Sequence, residues 1–329
     1  MKRMLSGIKP TGELTLGNYL GALKHFVNYQ DTYEMFVFIA NLHTITVYQD
    51  PKQLAKHLKD AATLYLASGL DPEKATVFLQ SDVLEHTQLS FILSCNTYLG
   101  EMNRMTQYKD KVSQGETNLT VGFYSYPTLM AADILLYDAD FVPVGNDQKQ
   151  HVEITRDIAE RFNNRYSKTF VVPEPLIPIA GARIMSLSDP TKKMSKSDAD
   201  NKGVIYMLDS PAQIKKKIVA AKTDSLNKIQ YDPEKQPGIS NLIQIMAACQ
   251  EVPIAHVVAA YEDANYGTFK KAVAEVVIDT LAPIQARYHE INQSDLMEKT
   301  LAAGKAKAQR IAAKKLVEVQ KKIGIEIRE

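Results

Sequence analysis

An α/β fold, a doubly wound parallel sheet followed by an all-helical region, is predicted by three observations. From residue 3 to residue 162, short apolar runs alternate with longer stretches of helical period. Glycine-bearing turns follow two of the runs, at residues 7–12 and at Gly145. After Gly203 the strand signals fade and only helical periodicity remains. The expected boundaries are 1–188 for the sheet domain, 189–203 for a polar, lysine-bearing mobile loop, and 204–329 for a helical domain whose last helix could pack back on the first.

Each element follows from local pattern. Residues 3 to 8 read as a strand, Pro10-Thr11-Gly12 as a turn, and Leu16-Gly17-Asn18 as the start of a helix carrying Leu20, Leu23, Phe26 and Val27. Backbone amides opening that helix at Gly17 and Asn18 form a ready anion site, and the turn by itself is equally suited to a structural role. Met35 to Ala40 suits a buried parallel strand, and His43 follows its carboxyl end, where open sheets bind ligands. A helix carries Leu54, Leu58, Ala61, Ala62 and Tyr65 and stops at Gly69. Ala75 to Leu79 is the next strand, and Gln88 to Lys111 reads as helical.

Tyr124 to Tyr137 is an almost wholly apolar helix around Pro127 with one acid, Asp133. Burying that carboxylate is costly unless a donor meets it, and the plain alternative is that it faces solvent from the helix end. Phe141 to Val144 is a strand, and Gly145-Asn146-Asp147-Gln148 starts the amphipathic helix of Ile154, Ile158, Ala159 and Phe162. Asp147 is equally suited to a helix N-cap. The chain is proline-rich from Pro173 to Pro178. Later helices are expected at Pro211 to Ala221, Ile239 to Cys249, Ile254 to Tyr261, Phe269 to Asn292 and Leu296 to Gly324, the last as one helix or two.

The composition, 45% hydrophobic and 23% charged in 329 residues, is that of an ordinary soluble protein with room for two domains. Net charge is +1, with −3 on residues 1–188 and +4 on 189–329, short of a dedicated nucleic-acid footprint. Cys95 and Cys249 have no metal or disulfide spacing and read as buried thiols. Without a stretch of about 20 apolar residues, no membrane span is expected, and the protein reads as cytoplasmic.

Within the polar loop, Lys193-Met194-Ser195-Lys196-Ser197 sets two ammonium groups three residues apart among small hydroxyl residues. Such a loop can gather around a polyphosphate and stabilise charge leaving with pyrophosphate. A solvated charge run is the bland reading.

Taken together, the chain resembles the bacterial tryptophanyl-tRNA synthetases, of the Rossmann-type class I of aminoacyl-tRNA synthetases, along nearly its whole length. The resemblance rests on Ser6-Gly7-Ile8-Lys9-Pro10-Thr11-Gly12, Leu16-Gly17-Asn18-Tyr19, Met130-Ala131-Ala132-Asp133-Ile134-Leu135, Gly145-Asn146-Asp147-Gln148-Lys149-Gln150-His151 and the lysine loop. The class signature His-Ile-Gly-His stands here as Thr15-Leu16-Gly17-Asn18, so Asn18 must donate through its amide.

The resemblance implies a Rossmann-like catalytic domain, a helical tRNA-binding domain and a ligase that activates tryptophan with ATP and magnesium before transfer to tRNA(Trp). It implies that Lys9, Pro10, Thr11, Gly17 and Asn18 hold phosphates, Gly145, Asn146 and Asp147 the ribose, and Ile184 with Met194 the adenine. Lys111, Lys193 and Lys196, with Ser195 and Ser197 in their loop, would meet the phosphates and departing pyrophosphate. Asp133 would accept the indole N–H, Leu5, Met130, Val142 and Val144 would wall the ring, and His43, Tyr126 and Gln148 would orient the ammonium and carboxylate. A homodimer is implied as well. The lysines at 215 to 217 and from 305 to 322 are candidates for tRNA phosphate contact. The alternatives are the tyrosine-specific relative and a nucleotide-binding regulator with a vestigial site; the apolar helix around Asp133 argues for tryptophan.

Overall fold

The alternating runs form five parallel strands: β1 (Arg3–Ile8), β2 (Glu34–Ile39), β3 (Ala75–Leu79), β4 (Phe141–Pro143) and β5 (Glu174–Leu176). This computed structural model describes residues 1–145, 148–177, 183–195 and 201–326. Strand order is β3-β2-β1-β4-β5, so the winding reverses between β1 and β4. Ligands in open sheets bind beyond the carboxyl ends of the strands at such a reversal. β5 has no counterpart in the sequence reading. It lies inside the proline-rich stretch, where Pro175 faces Val142 across the ladder. An edge strand tolerates a proline because one side of it has no ladder to complete.

Strand side chains divide by the period of two between both faces of the sheet. Met35, Val37 and Ile39 of β2 enter one core cluster, and Phe36 and Phe38 enter the other. The helices are α1 (Leu16–Asn18), continued through a π-helical turn at Tyr19–Leu23 into α2 (Lys24–Tyr29), then α3 (Asn41–Thr44) and α4 (Pro51–Ala67). Gly69 ends α4 at φ +108°, as a left-handed cap residue should. The span read as one helix from Gln88 is three: α5 (Glu85–Ser94), α6 (Leu99–Asn103) and α7 (Thr106–Ser113). Local hydrogen bonds from Cys95, Asn96 and Thr97 close the end of α5, and Tyr98 with Glu101 caps α6 anew. Cys95, expected to be buried, is exposed at this break.

α8 (Val121–Leu135) and α9 (Lys149–Tyr166) cover the second face beside α5. The helical region comprises α10 (Pro211–Val219), α11 (Pro237–Gln250), α12 (Ile254–Tyr261), α13 (Tyr266–Asn292) and the single long α14 (Leu296–Ile323). Its core residues, from Ile239 to Met297, belong to the same cluster as Met4, Leu16 and Val37. Among the described residues no single helix is long and apolar enough to cross a membrane.

α14 packs against β3, the edge strand, and its Ala308, Ala312, Leu316 and Val319 join the second face. Gly304 is the closest approach: a Cβ there would stand 1.8 Å from the Val77 carbonyl oxygen. Backbone cannot yield as a side chain can. Gly304→Ala is therefore expected to lower stability by about 3 kcal/mol, the upper end of ordinary overpacking costs. Urea unfolding checks this, and an unchanged midpoint would mean that α14 does not dock as described.

Candidate active site

Two groups of residues meet the carboxyl edge of the sheet. On the first, β1 runs into the Lys9-Pro10-Thr11-Gly12 turn. Gly7 has no room for a side chain, since a Cβ would lie 2.9 Å from the Phe38 ring and carbonyl oxygen. Burial lowers the Lys9 pKa, and its Nζ donates to Thr46 Oγ1 at 3.3 Å. Thr15 caps α1: its Oγ1 accepts from the Asn18 N–H, and Asn18 Oδ1 accepts from the Thr15 N–H at 3.0 Å. The Leu16 N–H donates to Ile205 O. Of the two backbone amides expected at an anion, that of Asn18 is spent within the cap. With Oδ1 engaged in the cap, the donor on the Asn18 side chain is Nδ2.

Gly17 lies against the base of the lysine loop. A Cβ there would stand 3.7 Å from Ile184 Cβ and 3.8 Å from Met194 Cβ. The Met194 N–H donates to Ile184 O at 2.9 Å, so the two apolar side chains sit together against Gly17. Both are nearly buried.

On the second group, α8 buries Asp133 completely. The solvent-facing alternative is excluded, and the donors are internal. Oδ1 accepts from Gln80 Nε2 at 2.8 Å and from His86 Nδ1 at 2.6 Å. Oδ2 accepts from His43 Nε2 at 2.7 Å and from Gln80 Nε2 at 3.0 Å. Burial alone would raise the Asp133 pKa, but attraction to His43 and hydrogen bonds from His43 and His86 reverse this and hold it at about 2. An ionised carboxylate only accepts, so His86 carries its proton on Nδ1. In the neutral ring Nε2 then accepts from the Tyr137 hydroxyl at 2.8 Å. Burial, followed by the charge of Asp133, raises the Tyr137 pKa and keeps that hydroxyl a donor.

Gln80, His86 and Tyr137 were missed by the sequence reading. Gln80 Oε1 also accepts from the Leu42 N–H at 3.0 Å, so one buried amide ties the end of β3 to α3 and to Asp133. A signal was present: polar residues directly after the β3 run, as His43 follows β2.

The remaining residues divide. His43 and Tyr126 come together with ring centroids 6.2 Å apart, and the Tyr126 hydroxyl meets Gln107 Oε1 at 2.9 Å and, at closer range, His151 Nε2. Leu5, at the middle of β1, and Val142 of β4 are buried, with Met130 and Val144 half-buried against the same cluster. The Gln148 N–H donates to Gly145 O, closing the turn ahead of α9. Lys193 pairs with Met185 in an antiparallel bridge, and Ser195 follows it. Lys111, on α7, forms an ion pair with Glu116 at 2.8 Å. Asn146, Asp147, Lys196 and Ser197 lie outside the described residues. Several lysines expected at tRNA are committed elsewhere. Lys217 binds Asp209 at 2.6 Å, and the buried Lys315 binds Thr169 O and Asp138.

A parallel sheet with a glycine turn at its reversal, a lysine-bearing hairpin over that turn and a buried acceptor beside it define a class I aminoacyl-tRNA synthetase. A family model described as tRNA synthetases class I (W and Y) matches residues 1–282, and the chain belongs to this family. The tryptophan–tRNA ligase of Oceanobacillus iheyensis is 51% identical over 325 residues, 99% of each chain. Tryptophanyl-tRNA synthetase from Mycoplasma pneumoniae matches with a TM-score of 0.92 and 40% identity, covering 99% of this chain and 98% of that one. The Campylobacter jejuni enzyme, solved with ADP and tryptophan, matches with a TM-score of 0.82 and 37% identity, over 98% of this chain and 99% of that one.

The depressed pKa of Asp133 has a signed consequence. Its charge contributes stability that is complete above the ordinary value of 3.8 and is lost as pH falls from there through about 2. The contribution amounts to about 2 kcal/mol. Asp133→Asn should be less stable at pH 7 and lack this component of the acid loss, as read from urea midpoints between pH 7 and pH 2. Parallel acid profiles for the two proteins would show that the carboxylate is not held ionised by its neighbours.

Proposed function

We propose that this chain is a tryptophan–tRNA ligase. It activates tryptophan with ATP to tryptophanyl-adenylate and pyrophosphate, then transfers tryptophan to tRNA(Trp). Relatives about half identical over their full length carry that name, including the 52% identical ligase of Listeria monocytogenes. The observation that carries the reading is the buried, ionised Asp133, reached through His43.

Indole N–H is a donor only, and the carboxylate an acceptor only. Oδ1 is held from behind by Gln80 and His86, both fully buried, whereas Oδ2 is held by the 13% exposed His43. The indole therefore takes Oδ2. His43 turns toward the ammonium and carboxylate, which Tyr126 and Gln148 also orient. Leu5, Met130, Val142 and Val144 wall the ring.

ATP lies along the β1 turn. Lys9, Pro10, Thr11, Gly17 and the Asn18 amide hold its phosphates, Gly145, Asn146 and Asp147 its ribose, and Ile184 with Met194 its adenine. A tryptophan carboxylate oxygen attacks the α-phosphorus, and the bond to pyrophosphate breaks. Lys111, Lys193 and Lys196 stabilise the departing charge, with Lys111 exchanging Glu116 for phosphate. The residues position and neutralise; none becomes covalently linked. Magnesium would accompany ATP as part of the substrate and would supply further neutralisation of the phosphate charge.

The enzyme acts in the cytoplasm as a homodimer. Leu84, which precedes α5, and Phe91 within it are 74% and 72% exposed and seven residues apart, which supports a partner on that face. Exposed Lys215, Lys216, Lys314 and Lys321 remain suited to tRNA phosphate.

The chain contains no tryptophan, so bound substrate is the only indole present. Excited beyond tyrosine absorption, added tryptophan should show saturable changes in emission position and anisotropy, with tyrosine competing poorly. ATP–pyrophosphate exchange should require tryptophan. Exchange supported by tyrosine, with no change in indole emission, would transfer the assignment to the tyrosine-specific relative.

A further inference from the structure

Asn241 lies in the second turn of α11 and is 3% exposed. Its side chain bonds to both backbone groups of one residue 56 positions earlier. The Met185 N–H donates to Asn241 Oδ1 at 2.8 Å, and Asn241 Nδ2 donates to the Met185 carbonyl at 2.9 Å. A helix side chain here replaces a neighbouring strand.

The reason lies in the hairpin that Met185 belongs to. Met185 faces Lys193 in an antiparallel bridge, and the flanking bonds run from the Met194 N–H to Ile184 O at 2.9 Å and from the Ser186 N–H to Lys192 O at 2.8 Å. In this arrangement Met185 and Lys193 are a non-hydrogen-bonded pair, so the N–H and C=O of Met185 point away from the partner strand. Buried and unpaired, those groups would be costly. Asn241 satisfies both at once. Asp lacks the donor, Ala lacks both groups, and Gln is one methylene too long for the same seat.

The hairpin stem carries Lys193 and sets Ile184 and Met194 against Gly17, as described above. Leu187 N–H donates to Gly203 O at 2.9 Å, and Lys222 N–H donates to Leu187 O at 2.8 Å, tying the stem to the chain leading into α11. Gly238, in the first turn of α11, lies against that Lys222 carbonyl, 2.0 Å from where its Cβ would be. The stem thus rests on α11.

We propose that Asn241 is a positioning residue for adenylate formation: from α11 it fixes the stem that presents Lys193 and holds Ile184 and Met194 at the nucleotide turn. The proposal rests on the ligase reading of the same site. It assigns to the helical region a direct hold on the nucleotide side and none on the tryptophan side.

The test is a split between the two substrates. Asn241→Ala and Asn241→Ser would be purified as the full chain, with folding checked by circular dichroism and thermal melting. Tryptophan affinity is read from indole emission, and the KM for ATP and the kcat of pyrophosphate exchange are measured in parallel. Misplacing a catalytic group by about 1 Å costs on the order of 100-fold. In Asn241→Ala, kcat should therefore fall by about 10- to 100-fold and the KM for ATP should rise, while tryptophan affinity stays within about twofold. Asn241→Ser, which retains a shorter hydroxyl, should fall between Ala and wild type. Unchanged exchange in folded Asn241→Ala would overturn the proposal, as would equal losses for both substrates. Unfolding of both variants would also overturn it, assigning Asn241 to core stability alone. Absence of tryptophan-dependent exchange in the wild type would instead overturn the ligase reading.

Discussion

The buried charge of Asp133 is the constraint to which the substrate side of this protein is built. An unpaired carboxylate at that depth would neutralise itself by taking up a proton. Here Gln80, His86 and His43 converge on its two oxygens, and Tyr137 stands behind His86. These groups come from α3, from the residue that follows β3, from α5 and from just beyond α8. Each oxygen accepts from two donors, and such buried networks are favourable only when fully satisfied. The same wiring pairs Oδ2 with His43, the least buried of the donors.

The turn after β1 is built on backbone. Gly7 lets β1 and β2 come close at the Phe38 carbonyl, and Thr15 and Asn18 spend their amide hydrogen bonds on each other. The π-helical turn at Tyr19–Leu23 follows at once, and turns of this kind are frequent at functional sites. Two separate arrangements thus follow the carboxyl ends of the strands: side chains held in a core after β2 and β3, and a turn held by a cap after β1.

The helical region is bound into this frame rather than hung from it. Its apolar residues share a core with one face of the sheet. Lys24 of α2 reaches the C-terminal end of α11, donating to Ala248 O at 2.9 Å and pairing with Glu251. Cation and helix end attract each other there. Tyr288 of α13 donates to Asp60 of α4 at 2.7 Å, and α14 seals the β3 edge. An uncovered edge strand would invite pairing with another chain, so the last helix contributes both packing and protection.

Much was legible in the sequence, and its limits have a physical pattern. Periodicity marked β1 to β4 and most of the helices because each buries a face set by its own residues. The order and spacing of the Lys-Pro-Thr-Gly turn, the apolar Asp133 helix and the lysine loop identified the family, since those residues act locally or on a ligand. β5 was hidden because its strand character comes from pairing with β4, not from its proline-rich composition. The break of the 88–111 span into three helices depends on local caps that an apolar count does not register. Above all, the partners of Asp133 and Asn241 were invisible. A buried acceptor or donor states its need in the sequence, but which residue meets it is decided by how distant segments pack. Gln80 and His86 are about fifty residues from Asp133, and Met185 is 56 from Asn241. By itself the sequence determined the elements, the family and the chemistry required; tertiary structure decided which groups satisfy it, because hydrogen bonds act across space at about 3 Å whatever the separation along the chain.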